Sequence, residues 1–250
     1  MVKSLNLDIG NESNIWLIGD FHVGSKNFDK KALIKTVKLI EKDKKAKVFV
    51  VGDLCEFILP NDKRFDISNI DPKNTTSERQ YNTIKTILYP IRKKVQGILM
   101  GNHDFTLKSK TGFDIPHILS HDLNAFYFGG SGIVKMSNGL TMFIAHGCGT
   151  STTLGGQVNK ILKLANNFKR KPDIVAMGHV HALQVINNAS LKEDFTNSVD
   201  YLALTGSYYR TYIAGEDNYG TRNLYNSLPC GCVKFNIKKN GKIKGETIIL

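Results

Sequence analysis

The sequence predicts an α/β protein in which two β-sheets pack face to face with helices outside, an αββα sandwich. Three observations carry that prediction. Short apolar runs in the first half end abruptly in Gly followed by Asp or Asn, as buried strands do when they leave a sheet. Amphipathic stretches of helical period separate those runs. The second half is richer in strand-like runs and contains two Asn-Gly pairs that fit hairpin turns.

The elements follow in order. Residues 15–18 form an apolar run ending in Gly19-Asp20 and read as a strand. Residues 29–43 read as a helix capped by Asp29, with Leu33, Val37 and Ile40 on one face. Residues 48–51 are a second strand, again ending in Gly-Asp. A longer polar region, 60–73, precedes a helical pattern through Tyr81, Ile84, Leu88 and Ile91, which Pro90 should kink or end early. Residues 98–100 are a third strand ending in Gly101-Asn102. Strands are then expected at 125–128, 133–136 and 140–145, with Asn138-Gly139 turning the last pair into a hairpin. A helix over 157–168 turns Val158, Ile161, Leu162 and Ala165 inward. Strands follow at 174–177, 183–186 and 201–204, and a final pair, 232–237 and 243–249, flanks Asn240-Gly241. No linker or repeat divides the 250 residues, so one domain over 1–250 is expected.

Composition narrows the class. A hydrophobic share of 41% with 22% charged residues fits a globular chain and excludes a long disordered one. No stretch approaches the ~20 apolar residues of a membrane span, and residues 1–10 lack the apolar core of a secretory signal. Four cysteines without paired spacing fit a reducing compartment, so a cytoplasmic location is expected. The net charge of +12 either attracts polyanions or merely keeps the chain soluble, and charge alone does not choose between these.

Chemistry concentrates where strands end. Gly19-Asp20-Phe21-His22, Gly52-Asp53, Gly101-Asn102-His103-Asp104, His146-Gly147 and Gly178-His179-Val180-His181 hold five of the chain's seven histidines. Polar groups at strand carboxyl ends converge on the crevice above a sheet. Each motif alone reads as an ordinary turn, and His-x-His after a strand also fits two rings on one sheet face; their joint order is what points to a site. Asp, His and Asn donors make a mixed oxygen–nitrogen set without thiolate. Such a set suits two borderline divalent ions, Mn²⁺ first, with Fe²⁺, Zn²⁺ or Ni²⁺ as alternatives. Asp53 has the two oxygens needed to bridge a metal pair, and Asn102 adds an oxygen without adding charge. His103 is followed at once by Asp104, a carboxylate able to fix its tautomer.

The order DxH, GD, GNHD, H, GHxH resembles the calcineurin-like metallophosphoesterase family, from Asp20 to His181. The resemblance implies a two-sheet sandwich with a dinuclear centre and hydrolysis of a phosphoester by a hydroxide held between the metals. It implies Asp20, His22, Asp53 and His181 as ligands of one ion, and Asp53, Asn102, His146 and His179 as ligands of the other. It also implies that His103 acts on the leaving oxygen, oriented by Asp104, and that Asn102 and His103 touch substrate.

Within that family the second motif argues against the protein serine/threonine phosphatases, which continue it as GDxxDRG where this chain has Gly52-Asp53-Leu54-Cys55-Glu56-Phe57. The Gly-Asp-Leu-x-Glu form resembles the lipid A precursor pyrophosphatases, which usually carry Arg at the place of His103. The intact GNHD resembles repair nucleases and small cyclic-nucleotide phosphodiesterases. The expected function is therefore a phosphodiesterase acting on nucleic acid or nucleotides; a phosphomonoesterase or nucleotide-lipid pyrophosphatase with the same metals is the alternative, and a non-catalytic binding scaffold the rival from another class.

Tyr208, Tyr209, Arg210 and Tyr212 either contact substrate or form a packed aromatic strand surface, and Tyr209 and Arg210 are the expected substrate contacts. Thr150, Ser151, Thr152 and Thr153 either donate to phosphate or form a plain polar loop. The lysines between Lys30 and Lys47 read mainly as a solvated helix face. His117 and His121 have i, i+4 spacing but no third ligand, and Cys230-Gly-Cys232 lacks a second thiol pair, so neither reads as a metal site. Cys55 and Cys148 stand beside expected ligands and so are expected points of oxidative inactivation. Whether residues 61–77 cover the site is open at this stage.

Overall fold

Alternate residues along the strands enter different cores, and that alternation builds the layers. Ile15 and Leu17 lie in one buried apolar cluster, whereas Trp16 and Ile18 lie in another. Ile174 and Ala176 likewise share the first cluster, while Val175 and Met177 lie in a third. Strands buried on both faces need apolar residues at every position, which is why they read as continuous runs. The computed structural model describes residues 2–60, 62, 65–149, 151, 153–191, 195, 197–215, 219–222 and 224–250.

One sheet contains β2 (Glu12–Ile18), β3 (Ala46–Val50), β4 (Val95–Leu99) and β5 (Phe126–Gly129) in parallel, extended by β11 (Gly231–Lys238) and β12 (Ile243–Ile249) in the order β12-β11-β2-β3-β4-β5. The other contains β1 (Lys3–Leu7), β6 (Ser131–Met136), β7 (Thr141–Ala145), β8 (Ile174–Met177), β9 (Leu183–Leu191) and β10 (Asn197–Thr205), in the order β1-β6-β7-β8-β10-β9. The two sheets enclose the first apolar cluster, with Phe49, Leu99, Ile144 and Phe235 all buried within it.

Helices α1 (Lys30–Lys42) and α2 (Ser77–Leu88) cover the outer face of the first sheet, and α5 (Leu154–Asn166) covers the second. Asp29 caps α1 by accepting from Ala32 N–H, and Leu33, Val37 and Ile40 are buried as the spacing predicts. Each such side chain contributes roughly 1.5–3 kcal/mol by leaving water. Pro90 ends α2 at Leu88 and sits in a 3₁₀ turn, Tyr89–Lys94. Both Asn-Gly turns join antiparallel strands, β6 to β7 and β11 to β12, with Gly139 at φ 88° and Gly241 at φ 84°. Among the described residues no helix is long and apolar enough to cross a membrane.

Three elements were not expected from the sequence. Strand β1 is a half-exposed edge with only Leu7 buried, so it carries almost no apolar pattern. Helices α3 (Asn102–Thr111) and α4 (Ile115–Asp122) are short, and α3 buries only Asp104 and Leu107. The ends of the chain also exchange sheets. β11 and β12 return to pair with β2, while β1 joins β6.

Candidate metal centre

The carboxyl ends of β2, β3, β4, β7 and β8 deliver the five motifs to one place. The backbone there is bent into a conformation that residues with a Cβ rarely adopt. Asp20 (φ 51°), His22 (φ 52°), Asp53 (φ 48°), His179 (φ 68°) and His181 (φ 57°) are all left-handed. Each such residue costs on the order of 1–3 kcal/mol, so five together mark a place where side-chain direction outranks local stability. Close approach adds a further demand. A Cβ on Gly101 would stand 2.1 Å from Asp53 Oδ1, and one on Gly178 would stand 2.6 Å from Asp20 Oδ2.

Three groups of side chains present ligand atoms to one another: Asp20, His22 and His181; His22, Asp53 and His103; and Asp53, His146 and His179. Asp53 lies between the outer two. Its Oδ2 is 3.8 Å from His22 Nε2 and 3.2 Å from His146 Nε2. Asn102 Oδ1 completes the second side, 3.0 Å from His146 Nε2 and 2.7 Å from His179 Nδ1. On the first side His22 Nε2 faces His181 Nε2 at 3.1 Å, and His181 Nε2 is 3.5 Å from Asp20 Oδ1.

The outer edges of the rings are held in place. His22 Nδ1 meets Glu56 Oε2 at 2.9 Å, and His146 Nδ1 donates to Val51 O at 2.8 Å. With Nδ1 occupied as a donor, each neutral imidazole turns an Nε2 lone pair inward. Asp20 Oδ1 accepts from His179 N–H at 3.0 Å, and Asp53 Oδ1 from His103 N–H at 2.9 Å. With the His22 and His146 rings neutral, their Nε2 lone pairs face the Asp53 carboxylate, Asn102 Oδ1 and His181, and a positive charge there, a proton or a metal ion, resolves the repulsion. The mixed N and O donors, with Asp53 common to both sides, fit two divalent ions.

Protonation tells the same story. Burial works against charge on His22, yet the bond to Glu56 and the Asp53 and Asp20 carboxylates hold its pKa at about 9. Burial likewise opposes charge on His146, but Asp53 and Asp20 raise it to about 10. Burial and the His146 charge push His179 down to about 4, and burial with the His22 charge drives His181 well below the ordinary range. Burial opposes ionisation of Asp53, but His146 and His103 keep it well below the usual carboxylate range. Burial, reinforced by Asp53, raises Asp20. Two protons on His22 and His146 thus provide the positive charge that the donor set calls for.

A family model for the calcineurin-like phosphoesterases matches residues 13–203. The chain belongs to the calcineurin-like phosphoesterase family. No curated protein sequence matches it. Among solved structures it is similar to a single mutant of Vps29 from Entamoeba histolytica, at 15% identity and TM-score 0.47, covering 95% of this chain and 99% of that one. Vps29 from Chaetomium thermophilum is similar at 12% identity and TM-score 0.43, covering 94% and 97%. A structure described as a novel phosphatase from Mycoplasma pneumoniae is similar at 16% identity and TM-score 0.45, covering 96% and 94%.

In this member of the family all seven residues expected to hold metal meet, and His103 stands with them. The two histidines of Gly-His-x-His follow β8 in left-handed turns and serve different groups, so they do not share one sheet face. Two of the expected site residues need correction. Asp104 does not orient His103. It is buried and accepts from Gly101 N–H at 2.8 Å and Leu54 N–H at 3.2 Å, tying together the exits of β4 and β3. Burial and Asp53 raise its pKa to about 7. His103 Nδ1 instead meets the Glu56 backbone carbonyl at 2.7 Å. Arg210 pairs with Asp29 at the start of α1 and is not part of the cavity wall beside the centre, so it is not placed to touch substrate.

Tyr209 does line that cavity, its ring centroid 5.4 Å from His22 and 5.7 Å from His181. Tyr208 is fully buried, with its hydroxyl 2.9 Å from Thr36 Oγ1, and belongs to the core. Ser151 lines the cavity, Thr153 caps α5, and Thr150 and Thr152 lie outside the described residues. Phe65, Asp66, Asn69, Ile70 and Thr75 of the 61–77 region form part of the wall, while Asn61, Lys63 and Arg64 lie outside the described residues. Cys55 is buried and burial holds its thiol protonated, which protects it from the oxidation expected of it; Cys148 is exposed. Glu56 is the residue sequence reasoning passed over. It contacts both His22 and His103, and its signal was its place three residues after Asp53 in the same strand exit.

Proposed function

We propose that this chain is a metal-dependent phosphodiesterase acting on nucleic acid or nucleotides. Asp20, His22, Asp53 and His181 hold one divalent ion in this reading, and Asp53, Asn102, His146 and His179 the other, with Mn²⁺ favoured over Fe²⁺, Zn²⁺ or Ni²⁺. The observation that carries it is the position of Asp53 Oδ2 between His22 Nε2 at 3.8 Å and His146 Nε2 at 3.2 Å. Bound there, two divalent ions supply Lewis acidity toward water and neutralise phosphoryl oxygens.

The side chains do the rest. Phosphoryl transfer needs positioning and charge stabilisation more than covalent help. His103 has Nδ1 engaged by the Glu56 carbonyl, so its Nε2 is the atom that delivers a proton to the departing oxygen. Esters of either kind release an alkoxide that gains from such a proton, and the diesterase choice is supported by the net charge of +12, which favours a polyanionic or nucleotide substrate. Asp104 holds the two strand exits at fixed separation. We take the whole chain as one phosphoesterase domain, since β11 and β12 complete the sheet begun by β2.

Manganese-reconstituted protein compared on bis-(p-nitrophenyl) phosphate and p-nitrophenyl phosphate tests the reading. The diester should show the higher kcat/KM. A strong monoester preference would overturn the diesterase choice, and metal-loaded protein inert toward both would overturn the enzyme.

A further inference from the structure

Two of the chain's seven histidines stand apart from the metal centre. His117 and His121 lie on α4, four residues apart, and neither lines the cavity beside the centre. Four residues make a little more than one helical turn, so both rings leave the same face. Spacing alone does not tell whether the rings turn toward each other. The structure does: His117 Nε2 and His121 Nε2 are 3.2 Å apart, with ring centroids at 4.7 Å. Two bonds of ~2.0–2.1 Å to one ion, set between a right angle and the tetrahedral angle, place their nitrogens about 2.9–3.4 Å apart. The observed separation falls inside that span, so an ion fits between the rings without a change of backbone. The same distance fits one ring donating a proton to the other, and a metal ion replaces that single proton.

The surroundings favour a cation. His121 is in the last turn of α4, where the helix dipole presents its negative end. Asp122 follows it, and bonds to Lys85 and Tyr81, with a smaller pull from His121, hold that carboxyl below the usual range. The other ring is braced. His117 packs at 4.9 Å on Tyr127, and Asp114 ties both down, its Oδ1 accepting from the His117 N–H at 3.2 Å and its Oδ2 from the Tyr127 hydroxyl at 2.9 Å. Both histidines are exposed, so an ion reaches them from solvent. Asp122 is engaged by Lys85 at 2.8 Å, which leaves water to complete the coordination.

The donors select the ion. Imidazole nitrogens suit Ni²⁺, Cu²⁺ and Zn²⁺, whereas Mn²⁺ stands at the weak end of the affinity order and is better served by carboxylates. A helical histidine pair of this spacing needs no third protein ligand to act as a two-point chelate. We propose that His117 and His121 form a separate metal site on α4, taking one Ni²⁺, Cu²⁺ or Zn²⁺ ion per chain and leaving Mn²⁺ unbound. The metal content of the chain then depends on the ion supplied, with one more nickel bound than the residues around Asp53 account for. The site is independent of the phosphoesterase reading.

Calorimetric titration of the full chain with nickel chloride and with manganese chloride tests it, comparing the unaltered chain with His117→Ala/His121→Ala. Circular dichroism verifies the fold of each variant. The double variant should bind one nickel ion fewer per chain, and its manganese count should be unchanged. His117→Gln and His121→Gln each keep one ring, and each should weaken that nickel ion roughly 10²-fold, the gain that two linked donors have over one. Equal nickel counts in the two chains, a manganese count that also falls by one, or single variants that bind as tightly as the unaltered chain would overturn the proposal. A centre around Asp53 that held no metal would leave the difference of one nickel ion intact, so the two readings fail separately.

Discussion

The floor and the wall of the cavity are built on opposite principles. The floor is made of residues at the ends of β2, β3, β4, β7 and β8, and five of them, Asp20, His22, Asp53, His179 and His181, are held in left-handed turns. The wall is made of irregular segments whose residues reach the cavity through backbone hydrogen bonds and one ion pair. In the proposed reading, chemistry that tolerates little misplacement stands on the rigid sheet, and contact with the rest of the substrate falls to loops. Substitutions in the floor should therefore abolish metal or turnover, whereas substitutions in the wall should alter affinity alone.

The sharpest way to break this comparison is Asp53→Asn. The shared carboxylate loses charge, so bound metal should fall to less than about one ion per chain and turnover should drop to background, read by metal analysis and diester hydrolysis. His103→Gln should retain both metals while kcat falls roughly 10²–10⁴-fold; unchanged diester turnover would remove His103 from its role. Glu56→Gln weakens the partner of His22 Nδ1 without touching an ion, so manganese affinity should fall roughly 10–100-fold in calorimetry.

Metal binding should also release protons. His22 at about 9 and His146 at about 10 are both protonated at neutral pH when no metal is bound. A metal must displace those protons, so affinity rises with pH up to these values and falls as pH is lowered. Calorimetry in buffers of different ionisation enthalpy counts the protons; a count of zero at pH 7 would contradict the assignment. The smallest effect belongs to Arg210→Ala. That side chain is 58% exposed and paired with Asp29, so KM should stay within about twofold and stability should change by ~0–1 kcal/mol.

The same contrast explains what the sequence disclosed. The floor was legible because a strand buried on both faces has an unmistakable apolar run, and the polar residue that follows it must stand at the sheet's end. Asp20, Asp53, Asn102, His146 and His179 could all be located that way. Helix α3 was not, since ten residues with only Asp104 and Leu107 buried carry no apolar period. Helix α4 begins Ile115-Pro116, where proline reads as a breaker until Asp114 is seen capping the turn. Adjacency in sequence misled at Asp104, because in a helix neighbouring side chains diverge by about 100°. The wall was illegible for a plainer reason: Phe65 and Leu228 meet across one cavity with no periodicity to announce it.

Manganese anomalous diffraction from a crystal of the full chain tests the central claim most directly. The account predicts two peaks, roughly 3.5–4 Å apart, one on each side of the Asp53 carboxylate. A single peak, or none with Asp20, His22, His146, His179 and His181 in the positions described, would contradict it.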